Sequence, residues 1–133
     1  MGKRILLVED NDIHRLLTEE FFKHQGYAVL GLHDGNDFFS TLSTFQPDLV
    51  VLDLKLPGID GFTLLEQLQP TEWKSVPIIV VSAYTLSSEK QRALDLGVRR
   101  YLTKPINLEV LGRFVESELS NPPFPFLSDF PTE

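Results

Sequence analysis

Short apolar runs, each closed abruptly by polar residues and followed by a stretch of helical periodicity, constrain this chain more than any other feature. Ile5-Leu6-Leu7-Val8 ends at Glu9-Asp10, Leu49-Val50-Val51-Leu52 ends at Asp53, and Ile78-Ile79-Val80-Val81 ends at Ser82. A shorter segment near Arg100 to Leu102 ends at Thr103-Lys104-Pro105. Unbroken apolar runs of this length suit strands covered on both faces. A further strand, Ala28 to Leu32, is less apolar and belongs at a sheet edge. Between them the period changes. Ile13, Leu16, Leu17 and Phe21 have helical spacing, with Asp12 as the expected cap and Gly26 as the left-handed stop. Phe38, Phe39, Leu42 and Phe45 mark a second helix, stopped at Pro47. Pro57-Gly58 suits a turn, and Asp60-Gly61 opens a third helix carrying Phe62, Leu65 and Leu68. A fourth helix runs from about Ser88 to Leu96 and stops at Gly97, and a last one carries Leu108, Leu111, Phe114, Val115 and Leu119. Strands alternating with helices in this way predict an α/β fold: a five-stranded parallel sheet with helices on both faces. Right-handed crossovers leave few topologies.

The 133 residues fit one domain over 1–120. Residues 121–133 differ in character, with four prolines, three phenylalanines and no period, and read as a linker or a loosely docked extension. Cysteine is absent, which removes disulfides and thiolate chemistry and accords with a reducing cytoplasm. The net charge of −7 without a basic run argues against nucleic-acid binding. No run of about 18 apolar residues is present to insert into a membrane. Lys3 and Arg4 precede too few apolar residues for a signal peptide.

In a parallel sheet the carboxyl ends of all strands share one edge, where ligands bind. That edge collects Glu9, Asp10 and Asp53 with Ser82 and Lys104. Any one of them has a plain explanation as a turn former, a helix cap or a solvated lysine. Together they are complementary. Clustered carboxylates need a positive partner, and hard oxygen ligands with retained waters suit Mg²⁺. A lysine and a hydroxyl beside the ion can hold a phosphoryl group, and a spare carboxylate can attack it. His14, His24 and His33 lack metal-ligand spacing and read as surface residues. No GxGxxG fingerprint occurs.

Over residues 3 to 119 the chain resembles the bacterial response regulator receiver domain, of the single-domain, chemotaxis-regulator-like kind. The resemblance rests on Ile5 to Asn11, Pro47 to Leu54, Leu56-Pro57-Gly58-Ile59-Asp60-Gly61, Val81-Ser82-Ala83 and the Gly97 to Pro105 segment. It implies a flavodoxin-like, doubly wound sheet of order 2-1-3-4-5. It makes Asp53 the phosphoacceptor, and Asp10 and Asp53 direct ligands of Mg²⁺ or Mn²⁺. Glu9 would act on the ion through water, and the Lys55 backbone carbonyl would be a further ligand. Lys104 would contact phosphoryl oxygens, with a cis Lys104-Pro105 bond. Ser82 and Tyr101 would be the switch pair, moving together on phosphorylation. Ser82 stands in place of the commoner threonine and Val98 in place of alanine, while Lys55 and Tyr84 occupy variable flanking positions.

The implied partners are a sensor histidine kinase or histidine phosphotransfer protein and a downstream protein target, reached through the fourth helix, fifth strand and fifth helix. Homodimerisation on phosphorylation stays open. His14 and Leu17 are candidates for the kinase-facing surface. Such a protein is a phosphoacceptor that assists its own phosphorylation and dephosphorylation, not an enzyme acting on a separate substrate. The competing readings are a receiver module excised from a larger DNA-binding regulator or hybrid kinase, a pseudo-receiver that is not phosphorylated, and a flavin-binding relative.

Overall fold

The computed structural model describes residues 2–120, so the expectation for residues 121–133 lies outside the described residues. Five strands, β1 (Arg4–Val8), β2 (Ala28–Leu32), β3 (Leu49–Leu52), β4 (Ile78–Ser82) and β5 (Arg100–Thr103), form one sheet in the order β2-β1-β3-β4-β5. Every pairing is parallel. The helices α1 (Asp12–His24), α2 (Phe38–Phe45), α3 (Gly61–Leu68), α4 (Ser87–Asp95) and α5 (Leu108–Ser120) follow the strands in turn. This is the flavodoxin-like, doubly wound architecture.

The unbroken apolar runs serve two cores at once, because successive strand residues point to opposite faces. Leu6, Val8, Val50, Leu52 and Val80 pack with Phe38, Leu42, Phe62, Leu65 and Ala93 of α2, α3 and α4. Ile5, Leu7, Leu49, Val51, Ile79 and Val81 pack with Phe22, Leu111 and Val115 of α1 and α5. Each fully buried aliphatic side chain contributes roughly 1.5–3 kcal/mol relative to exposure. β2, with its weaker apolar pattern, is the edge strand expected.

Two local expectations need correction. Asn11, not Asp12, is the N-cap of α1: its backbone is extended, and its Oδ1 accepts the His14 N–H at 2.9 Å. Asp12 is already helical and favours the positive end of the helix dipole. The expected inner face of α1 is also turned. Ile13, Leu16 and Leu17 are 69%, 57% and 56% exposed, while Thr18 and Phe22 face the sheet. The aromatic edge contacts of Phe22 with Phe21 and Tyr27 set that rotation. So does the close approach of Phe21 to Gly112, where a Cβ would lie 2.9 Å from Phe21 Cε2. A 3₁₀ turn, Glu72–Ser75, also sits before β4 and lays Trp73 against the α2–α3–α4 core. The three histidines are exposed.

Candidate functional site

Register alone begins to assemble the site. Val8 lies beside Leu52, so Glu9 and Asp53 leave the sheet as neighbours. Ser82 lies beside Thr103, so Lys104 leaves next to it. Backbone hydrogen bonds extend these pairings past the strands: Asp53 N–H donates to Val8 O at 3.0 Å, and Lys104 N–H to Ser82 O at 2.9 Å.

The side chains then converge. One carboxylate oxygen from each of Glu9, Asp10 and Asp53 lies within 4.8 Å of the other two. Glu9 and Asp53 are buried, and Asp10 is exposed at the mouth. Lys104 Nζ reaches Asp53 Oδ2 at 2.8 Å and Glu9 Oε1 at 3.0 Å. The Lys55 N–H donates to Asp53 Oδ1 at 2.9 Å, and the Asn11 N–H to Glu9 Oε2 at 3.0 Å. Arg15 donates to the Glu9 carbonyl at 2.9 Å, tying α1 to the end of β1. The Lys104-Pro105 bond is cis. Gly61 lets α3 begin against the loop after β3: a Cβ there would lie 2.6 Å from Leu54 Cα and 2.9 Å from Asp53 O.

Burial, the largest influence, pushes the Asp53 carboxyl above its ordinary value, and nearby Glu9 adds to this. The hydrogen bonds from Lys104 and from the Lys55 amide oppose that rise without cancelling it. For Lys104 the balance is reversed. Burial alone would lower its pKa, but the combined hydrogen bonds and charges of Asp53 and Glu9 hold it above the usual lysine value. Lys104 is therefore the resident cation of the cluster. The donor set of three carboxylates, with no sulfur or imidazole, also fits a hard divalent cation.

A second group surrounds Ser82, which is fully buried. Its Oγ accepts the Tyr84 N–H at 3.1 Å, and the Tyr101 hydroxyl donates to the Tyr84 carbonyl at 2.9 Å. Tyr84 thus links both residues of the expected switch pair. Burial raises the Tyr101 phenol above its usual value. Val98 is buried in the core cluster. Asn11 and Arg15 brace Glu9 without having been singled out in the sequence. Asn11 could have been found from the preference of asparagine for helix starts, whereas nothing in the chain marks the bond from Arg15.

Residues 5–116 match the model of the response regulator receiver domain, and the chain belongs to that family. It is 35% identical over 114 residues to the regulatory protein VanRc of Enterococcus gallinarum, covering 85% of this chain and 48% of that protein. It is 27% identical over 118 residues to the polar-differentiation response regulator DivK of Brucella anthropi, covering 88% and 94% of the two chains. The signal receiver domain of a LuxO repressor protein from Vibrio parahaemolyticus superposes with a TM-score of 0.83. That match has 27% identity and covers 90% of this chain and 91% of that one. The chain spans about half the length of VanRc and under a third of the regulator of RpoS from Escherichia coli.

Proposed function

We propose that this chain is a response regulator receiver that accepts a phosphoryl group on Asp53 from a phosphohistidine of a sensor histidine kinase or histidine phosphotransfer protein. The observation that carries this reading is the Asp53 carboxylate, buried at the end of β3, 2.8 Å from Lys104 and clustered with Glu9 and Asp10. An Asp53 oxygen attacks phosphorus, the P–N bond breaks, and the imidazole leaves with the electron pair and takes up a proton. The product is an acyl phosphate. Most of the catalytic effect comes from position and charge. Lys104 neutralises the transferred oxygens, and the Ser82 hydroxyl donates to one of them.

The reaction depends on Mg²⁺, for which Mn²⁺ can substitute. Asp10 and Asp53 would hold the ion through their carboxylates together with the Lys55 carbonyl, and Glu9, already engaged by Lys104, would act through water. When bound, the ion neutralises the carboxylates and orients phosphoryl oxygens. The response is a change in the α4–β5–α5 face, driven by Ser82 and Tyr101, toward a downstream protein. Acetyl phosphate with Mg²⁺ is expected to label the parent protein. Asp53→Asn and chelation both abolish the label, read by intact mass, and labelling that survives the substitution removes Asp53 from the role.

A second reading makes the chain a receiver module of a longer cytoplasmic protein, with residues 121–133 as the start of a linker. It is favoured by VanRc and by the sensor histidine kinase GacS of Pseudomonas protegens, of which the chain covers 13%. DivK, matched over 94% of its length, favours a stand-alone protein. The intact mass of the natural gene product separates the two.

A further inference from the structure

A hollow of about 270 Å³ opens on the outer side of β5, lined by Lys90 of α4, Tyr101 and Leu102 of β5, and Ile106 and Val110 at the start of α5. It is smaller than the ~300–1,000 Å³ of small-molecule sites and suits protein side chains better than a ligand. Of the described residues that line it, Lys90 alone is charged. Leu86, Lys90 and Leu94 fall at four-residue intervals along α4 beside it, and both leucines are exposed. The far end of this face lies where α5 ends. Glu118 holds Arg99 at 2.9 Å and Arg100 at 3.1 Å, and Arg100 also reaches Ser117 Oγ at 3.5 Å. Residues 121–133 therefore leave α5 beside the first residue of β5.

We propose that residues 121–133 dock in cis on the α4–β5–α5 face, with Phe124 and Leu127 seated in this hollow and the acids Asp129 and Glu133 drawn toward Lys90. Asn121-Pro122 is a turn signal and suits a reversal back along α5. Pro122, Pro123 and Pro125 favour the extended polyproline form, with three residues per turn. At that spacing Phe124, Leu127 and Phe130 share one edge. Val110 lies about 15 Å back from Ser120 at the helical rise. In the extended form Phe124 and Leu127 lie roughly 12 and 22 Å from Ser120, either side of that level. An attached segment has an effective concentration on the order of 1 mM, so two apolar side chains suffice where a separate peptide would fall away. The hollow between α1 and α5 suits an acidic segment less, because Glu109 and Glu116 line it against the single cation Arg113. The docking does not depend on the role of Asp53. Where this face is the output surface, a downstream protein must displace the segment.

The chain has no cysteine, so Ser128→Cys carries a single nitroxide in the full chain, read by amide NMR. The expected result is loss of the Lys90, Tyr101, Leu102 and Val110 signals, reversed when the nitroxide is reduced. The His14, Leu17 and Phe21 signals on α1 are retained. Adding Phe124→Ser and Leu127→Ser restores the lost signals and leaves the rest of the spectrum in place, since neither residue belongs to the sheet or its helices. An isotope-labelled chain without the cysteine, mixed with an unlabelled chain bearing the nitroxide, keeps all its signals. Loss confined to residues around Ser120, loss on the α1 face, or loss that persists with both serines overturns the proposal. Loss in the mixed sample overturns it too, by giving the face to a second copy.

Discussion

Asp53 carries opposing demands. As the proposed phosphoacceptor, it would have to be buried enough to keep water from an acyl phosphate and ionised enough to act as a nucleophile. Burial raises its pKa above 3.8, and Lys104 together with the Lys55 amide limits the rise. A raised acid pKa means that the folded chain takes up a proton before the unfolded chain does. The ionised form therefore subtracts stability at neutral pH, and the deficit shrinks as pH falls toward the ordinary aspartate range. Asp53→Asn is expected to raise the urea midpoint of the metal-free protein at pH 7, with its advantage fading on acidification toward pH 4. Urea unfolding at a series of pH values checks this. A lowered midpoint at pH 7 would mean that the bond to Lys104 outweighs desolvation. Ser82 illustrates the same scale differently: its hydroxyl is legible as a strand-end residue, but its engagement by the Tyr84 amide is not.

Among the elements, α1 departs furthest from its sequence pattern. Ile13, Leu16, Leu17 and Phe21 have the spacing of an inward stripe, yet three of them face outward. The stripe facing the sheet is Thr18 and Phe22, selected by aromatic packing with Phe21 and Tyr27 and by the close fit at Gly112. Leu17 and His14 border an apolar hollow shared with Pro105, Ile106 and Leu108, which Lys104 also lines. An exposed apolar ridge beside the proposed phosphoacceptor suits the surface that a phosphodonor protein would meet. Leu17→Ser is expected to alter stability by no more than about 0.5 kcal/mol, as for other exposed positions. It should slow phosphotransfer from a phosphohistidine protein while leaving acetyl phosphate labelling unchanged. Equal slowing with both donors would place the effect in the acid cluster instead.

At the scale of the molecule, one sheet with a core on each face brings the ends of four strands to a common rim. The net charge of −7 adds to the cost of gathering acids there, and Lys104 is the resident compensation. A cation that binds the folded rim and not the unfolded chain stabilises the whole fold by mass action. Mg²⁺ at tenfold excess over its dissociation constant is expected to add about 1.4 kcal/mol, seen as a rise in the thermal midpoint that a chelator reverses. Asp10→Asn should remove most of that rise, and a full rise in this variant would place the ion elsewhere.

The sequence by itself determined the alternation of elements, the two-sided burial of the strands and the identity of the acids, hydroxyl and lysine at their ends. These follow from local periodicity and from where each apolar run stops, which neighbouring residues encode. The order of the strands came from the family resemblance and agrees with the sheet. Tertiary structure decided which side of α1 turns inward and which amide holds Ser82. Those outcomes depend on packing between segments distant in the chain, where a single close contact such as Phe21 on Gly112 outweighs local pattern.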